Sequence, residues 1–305
     1  MSNRVNVLLS TFNGEKFLPD LLDSLLRQTH PDWLLSVRDD GSSDGTLEIL
    51  KTYRPSFPAM RVSEGRNIGI VDSFFTLLRE GDPSCDFFAF CDQDDVWKPD
   101  KLADAVRQLG KTDPRVPALG CSRVEYVDQG LNPLGLSRLP RKPGFGNALV
   151  ENISGGCTFT MNAAAREIIL SSLPEKAIMH DWWCYLVVSG FGTIFYDPTP
   201  QVLYRQHGNN SIGGTSNRLL HFAQRTRRFL DDSDRMYRVT DQAREFVSCF
   251  GDRLDPKNAV VLNGLLRSKS GLPSRLRYAF SPMEVWRQSY ADTLILRMLI
   301  LLGRY

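Results

Sequence analysis

Short apolar runs alternate with helix-period patterns through the first hundred residues. Val5-Asn6-Val7-Leu8-Leu9 reads as a strand, and Phe17, Leu21, Leu22, Leu25 and Leu26 then recur at helical spacing, which predicts an amphipathic helix over 15–28. Leu34-Leu35-Ser36-Val37 is a second strand, Thr46 to Tyr53 a second helix, and Met60-Arg61-Val62 a short third strand. Ile70, Phe74, Phe75, Leu77 and Leu78 mark a helix that leads into the strand Phe87-Phe88-Ala89-Phe90-Cys91. Such alternation predicts an α/β fold whose sheet is mainly parallel and covered by helices on both faces. Ligands of these sheets bind beyond the carboxyl ends of the strands. The polar clusters fall there: Thr11 to Glu15 after strand one, Asp39 to Thr46 after strand two, and Asp92 to Asp95 after strand four.

From about residue 110 the pattern loosens. Pro114, Pro117, Pro133, Pro140 and Pro143 punctuate it and predict a loop-rich region facing an acceptor. Ser154-Gly155-Gly156-Cys157-Thr158-Phe159 reads as a glycine-containing strand, followed by a helix near 163–172 and another from about His180. After Gly213-Gly214 the chain reads as helical and Arg-rich, so a boundary is expected between a catalytic region, 1–215, and a basic helical region, 216–305. Charge sharpens that division: residues 1–215 carry 21 Lys and Arg against 26 Asp and Glu, and residues 216–305 carry 16 against 9. With 305 residues, 42% hydrophobic and 24% charged, the chain has the composition of an ordinary globular protein. No signal peptide and no stretch of about 18 apolar residues is visible, so a cytoplasmic protein is expected. The six Cys form no CxxC pair and read as reduced, buried thiols.

Three carboxylates in four residues, Asp92, Asp94 and Asp95, raise one another's pKa unless something positive sits among them. A hard divalent cation such as Mn²⁺ or Mg²⁺ would relieve that, and it also favours phosphate oxygen; a solvated turn capping the next helix is the plainer alternative. Asp39 and Asp40 end strand two: either the Gly-Ser-Ser-Asp-Gly that follows is a tight turn with Asp44 capping the next helix, or one of the two Asp residues accepts the imide N–H of uracil or thymine, with Thr11 and Glu15 across the rim. In Gly65-Arg66-Asn67-Ile68-Gly69 either Asn67 caps the following helix or Arg66 reaches a diphosphate. Asp181, between His180 and the pair Trp182-Trp183, either caps a helix in which the tryptophans pack or, in a desolvating setting that suits a general base, acts beside aromatic rings that suit sugar faces. Arg205 and His207 lie two apart at a strand end and project to one face, fit for a phosphate and a cation.

Together these segments resemble a family 2 glycosyltransferase of the GT-A fold. The resemblance runs from about Val5 to Asn210 through Ser10-Thr11-Phe12-Asn13-Gly14-Glu15, Arg38 to Thr46, Cys91 to Trp97, His180-Asp181-Trp182 and Arg205-Gln206-His207. It implies a nucleotide-diphospho-sugar donor, dTDP- or UDP-linked, and a divalent metal bridging its phosphates. Thr11, Phe12, Asn13, Glu15, Asp40, Arg66, Asp92 and Arg205 would bind the donor. Asp94, Asp95 and His207 would hold the metal, Asp181 would be the base of an inverting displacement, and Gly155, Gly156, Trp182 and Trp183 would meet the acceptor. Two departures stand out: His-Asp replaces the commoner Glu-Asp, and Tyr204 to Asn210 replaces a Gln/Arg-rich helix with a Trp. The first three motifs are similar to those of bacterial rhamnosyltransferases that use dTDP-L-rhamnose in surface polysaccharide synthesis. The acceptor is then a glycan, lipid-linked or free, and nucleic acid is not a partner.

Two other classes compete. A sugar-nucleotide nucleotidyltransferase would carry a Gly-rich, cationic phosphate loop after strand one, where this chain has Thr11 to Glu15 and Lys16 alone. A non-catalytic nucleotide-sugar-binding module would need no base. The basic tail, with Arg225, Arg227, Arg228, Arg235, Arg238, Arg275 and Arg277, is either a helical cap on the catalytic region or a peripheral contact with the inner membrane.

Overall fold

In a computed structural model of the protein, the described residues are 3–57, 59–207, 239–281 and 284–305. Strands β1 (Val5–Thr11), β2 (Trp33–Asp39), β3 (Met60–Glu64) and β4 (Phe87–Asp92) pair in the order β3-β2-β1-β4, all parallel. Helices α1 (Leu18–Leu26), α2 (Thr46–Tyr53) and α3 (Ile70–Glu80) connect them. Period-2 alternation divides each strand between two cores. Val5, Val7 and Leu9 pack with Leu18, Leu21, Leu22 and Leu25 of α1, whereas Leu8 joins Phe74, Leu77 and Leu78 of α3 on the other face. Both faces are therefore apolar and covered, as the sequence pattern requires. The helix α1 opens at Leu18, three residues inside the periodic pattern, with Pro19 in its first turn.

The second half of the sheet differs from its reading in sequence. Ser154 to Phe159 is not a strand: a bend and a 3-10 turn over Gly156–Thr158 precede a short β8 (Thr160–Asn162), which pairs antiparallel with β4. The region read as loop-rich contains β6 (Ala118–Val127), which runs parallel to β9 (Thr193–Arg205) and antiparallel to β8. The length of β9 is masked in sequence by Pro198 and Pro200. The register jumps there, from Ser122 opposite Asp197 to Arg123 opposite Pro200, so the missing proline N–H groups fall at an irregularity. β5 (Val96–Trp97) pairs antiparallel with β9, and β7 (Pro133–Leu136) pairs with β6.

Helices α4 (Lys101–Leu109), α5 (Phe145–Ala148) and α6 (Ala163–Ser171) precede α7 (His180–Phe191), whose side chains are buried almost throughout. A helix apolar all round must be enclosed. The sheet covers α7 on one side and the C-terminal helices on the other: α8 (Val239–Phe250), α9 (Pro256–Arg267), α10 (Leu272–Phe280) and α11 (Tyr290–Leu302). The Trp183 ring centroid lies 6.1 Å from that of Phe246 and 6.3 Å from that of Phe250. One apolar core thus runs from β4 through α7 to α11. The expected boundary at 215/216 lies outside the described residues, as do Arg225, Arg227, Arg228, Arg235 and Arg238. No helix among the described residues is long and apolar enough to cross a membrane.

Because Trp183 is fully buried in this seam, Trp183→Ala should destabilise the protein by about 3–5 kcal/mol. Chemical denaturation would measure it, and a loss no larger than that of an exposed substitution would show that α7 and α8 do not depend on each other.

Candidate active site

The strand order reverses at β1, which has β2 on one side and β4 on the other, and the loops leaving these strands are tied to each other. The Phe12 N–H donates to Gln93 Oε1 at 2.9 Å and Gln93 Nε2 returns a bond to the Phe12 carbonyl at 3.0 Å. The Asn13 N–H donates to Ser42 Oγ, and its Oδ1 accepts from the Ser43 N–H. The Gly14 N–H donates to Thr46 Oγ1. Three loops distant in sequence therefore form one rigid rim.

Asp40 anchors a fourth segment. Its carboxylate accepts from Arg38 Nη2 at 3.1 Å and from the N–H groups of Ile68 and Gly69 at 3.0 Å. The Gly69 N–H can point there because Gly69 adopts φ +84°, a conformation that suits glycine. A carboxylate accepts at about four lone-pair sites, so three donors leave room for one more.

Below this rim opens a cavity of about 820 Å³, lined by Phe12, Asn13, Asp40, Asp92, Asp94, Asp181 and His207 among others. That volume is within the range of sites for small molecules and cofactors. Asp181, in the first turn of α7, is buried, and burial pushes its carboxyl up to about 6. Hydrogen bonds from the Trp182 and Gly156 backbone and the Asn152 side chain oppose the rise. It does not cap α7, which starts after Met179 without a side-chain cap bond. Gly156 keeps the approach open: a Cβ there would lie 2.9 Å from His180 Nε2 and 3.1 Å from Asp181 Cβ.

Also on the wall, Asp94 Oδ2 lies 2.7 Å from His207 Nε2, and the His207 ring stacks on Phe17 with centroids 5.0 Å apart. Asp92 also lines the wall. Burial, followed by repulsion from Asp94 and Asp181, pushes its carboxyl well up. Asp94 and His207 as a pair, with Asp92 on the same wall, offer oxygen and nitrogen donors whose chemistry suits a hard or borderline divalent cation. A second trio, Asp92, Asp95 and Cys157, also lies close together. Burial pushes the Cys157 thiol far up, so that trio offers a neutral soft group unsuited to Mn²⁺ or Mg²⁺.

The structure moves seven sequence-assigned residues off the cavity wall. Asp95 is buried beside Cys157 and accepts from the Arg205 N–H, so it supports the wall from behind. The Arg205 guanidinium is buried and engaged by Asp20 at 2.7 Å and by the Asp94 carbonyl at 2.9 Å, which rules out its reaching a phosphate in this arrangement. Thr11 donates to Asp39 inside the protein, and Glu15 Oε2 accepts from the Gly45 N–H, so both shape the loop and leave the ligand to others. Arg66 is exposed beyond the wall, and its carbonyl accepts from Arg38. Trp182 donates to the Ala148 carbonyl and Trp183 packs in the core, so neither offers a face to an acceptor. Gly155 and Gly156 do line the cavity.

Two functional candidates carry little sequence signal. Lys16 lines the cavity with its Nζ donating to Gln129 Oε1, a neutral partner, and is the one Lys or Arg among the described wall residues. His180 stacks on Phe74 with centroids 4.0 Å apart, and among the described residues neither ring nitrogen has a hydrogen-bond partner. Burial pushes it down to about 3, so the imidazole is neutral and presents one donor and one acceptor. The His-Asp departure noted in sequence was the signal available for it.

Residues 6–173, more than half of the chain, match the family model described as glycosyl transferase family 2. A dTDP-rhamnosyl transferase of Shigella flexneri, RfbG, is 26% identical over 216 residues, spanning 67% of this chain and 73% of the relative. TarS from S. aureus, solved with UDP-GlcNAc, superposes with a TM-score of 0.58 at 16% identity, covering 99% of this chain and 88% of that one. A mannosyltransferase from Pyrobaculum calidifontis, solved with GDP-Man and Mn²⁺, superposes with a TM-score of 0.53 at 19% identity, covering 99% and 81%. The chain therefore belongs to glycosyl transferase family 2, as an enzyme with the GT-A fold.

Proposed function

We propose that the protein transfers a sugar from a nucleotide-diphospho-sugar to a hydroxyl of a glycan acceptor, with inversion at the anomeric carbon. The observation that carries this reading is Asp181: a buried carboxylate pushed up to about 6, on the wall of the cavity that also holds Asp92, Asp94 and His207. A carboxylate so placed takes the proton of an acceptor hydroxyl as the oxygen attacks. Attack from the Asp181 side and departure of the diphosphate on the Asp94 side is an in-line displacement, and it inverts configuration.

Asp94, His207 and Asp92 would hold a divalent cation, which supplies Lewis-acid stabilisation of the departing diphosphate when bound. Lys16 takes the electrostatic role that sequence gave to Arg205. The tied rim of Phe12, Asn13 and Asp40 holds the nucleoside. A 6-deoxy sugar such as L-rhamnose, the donor class named for the Shigella relative, suits the apolar surface that Ile70 and Met179 contribute to the wall. The acceptor is a growing surface polysaccharide, entering past Gly155 and Gly156, and the site of action is the cytoplasmic side of the membrane.

The deciding assay incubates the protein with a panel of dTDP-, UDP- and GDP-linked sugars and an acceptor glycan, then measures released nucleoside diphosphate and the anomeric configuration of the product by NMR. Retention of configuration would exclude the single displacement. Release of pyrophosphate would return the nucleotidyltransferase reading.

Asp40→Ala tests nucleoside recognition, with circular dichroism checking that the loop anchored through Arg38, Ile68 and Gly69 leaves the fold intact. Losing a charged acceptor should weaken nucleoside diphosphate binding by roughly 1.5–3 kcal/mol, read by titration calorimetry. Wild-type affinity in the variant would leave Asp40 as a loop anchor alone.

A further inference from the structure

We propose that the outward faces of α10 and α11 seat the enzyme on an anionic lipid bilayer. The 13 residues of α11 carry just two charged side chains, Asp292 and Arg297. A helix so apolar is enclosed in a soluble protein, yet only one side of α11 is: Leu296 and Ile300 enter the core. On the opposite side Tyr290, Leu294, Met298 and Leu302, at four-residue spacing, are 74%, 62%, 61% and 64% exposed. The neighbouring α10 repeats the pattern with Leu272, Leu276 and Phe280, all exposed. Seven of the 16 large hydrophobics exposed among the described residues fall on these two short helices. An apolar surface gathered in this way marks a contact with a partner or a membrane.

Charge selects the occupant. Residues 256–305 hold eight Lys and Arg against Glu284 and Asp292. Arg277 and Arg304 are exposed on the same two-helix unit, and the Arg141 guanidinium lies 4.1 Å above the Tyr290 ring. An apolar stripe beside a cationic rim is the signature of a helix lying in the interface of an anionic bilayer, with leucine and aromatic side chains among acyl chains and Arg among headgroups. A second protein copy would have to bring a matching acidic rim, and this surface is basic. The proposal is independent of donor, metal and base: vesicle binding can fail while transfer to a soluble acceptor persists, and the converse.

The test uses the full chain with sedimenting vesicles of phosphatidylglycerol and phosphatidylcholine, and with phosphatidylcholine alone, at low and high salt. Wild type should bind the anionic vesicles, ignore the neutral ones and bind more weakly as salt rises. The double substitution Leu294→Ser with Met298→Ser should weaken binding by about tenfold or more, since apolar area no longer leaves water. Arg277→Gln with Arg304→Gln should weaken it by about fivefold for each Arg removed. Leu134→Ser, at an equally apolar exposed position on β7, should bind as wild type does. Circular dichroism checks that each variant folds. Wild-type protein that fails to bind anionic vesicles at low salt overturns the proposal. So does a lipid-independent dimer that the Leu294→Ser, Met298→Ser protein loses, which would make a second copy the occupant.

Discussion

Asp181→Asn should lower turnover by about 10²–10⁴-fold while donor affinity stays near that of wild type. The amide keeps the shape of the side chain and can still meet the Trp182 and Gly156 N–H groups through its oxygen, but it cannot accept the acceptor's proton. In wild type, kcat/KM should climb as pH passes through about 6, where Asp181 loses its proton, and level off above. The residual activity of the variant should lack that rise. The same substitution should alter stability in a pH-dependent way. A folded-state value of about 6 against an ordinary 3.8 means that the native protein holds this proton more tightly than the unfolded chain does. The favourable contribution is complete below pH 3.8 and is lost as pH rises through about 6. At pH 7 the neutral amide should therefore stabilise the protein by up to about 3 kcal/mol, an advantage that vanishes in acid. Variant and wild type with the same turnover would reduce Asp181 to a structural residue; equal stability at pH 7 would mean that water reaches it.

Stripping divalent cations with EDTA should abolish transfer, and Mn²⁺ or Mg²⁺ should restore it. Lewis-acid stabilisation is worth several kcal/mol, so the loss should reach about 10³-fold or more. Asp94→Ala should be inactive at any metal concentration, because it removes both a carboxylate from the cavity and the partner of His207. Full activity in EDTA would exclude the metal. An EDTA-resistant enzyme that Asp94→Ala still inactivates would give Asp94 a role through His207 alone.

The donor half was legible because the information is local. Each strand of the β3-β2-β1-β4 quartet announces itself by an apolar run, and a parallel sheet puts the following residues on one rim, so Phe12, Asn13, Asp40, Asp92 and Asp94 follow from strand ends alone. Asp181 was legible for a different reason: its apolar neighbours signal the burial that lifts its pKa. Side-chain direction was not legible. Arg205 sits at the end of β9 as expected but turns to Asp20, 185 residues earlier in the chain, and Trp182 turns to Ala148. Thr11 and Glu15 lie on the expected rim, but their side chains turn to Asp39 and Gly45 of the neighbouring segment. The core role of Trp183 depends on Phe246 and Phe250, beyond the range of any local pattern. The long β9 was hidden because prolines argue against a strand unless its irregularity is known in advance.

The seam between α7 and α8 has a consequence for how the enzyme comes into being. Strands β1 to β4 and the loops that bring Phe12, Asn13, Asp40, Asp92 and Asp94 to the cavity come from the first hundred residues of the chain. Asp181 arrives much later, and the helix that carries it is enclosed only when Phe246, Phe250 and the residues after them have been made. The proposed base is therefore held in place only once the chain is nearly complete. Damage to the last fifty residues, remote from the cavity, would loosen the core that encloses α7 and with it the placement of Asp181.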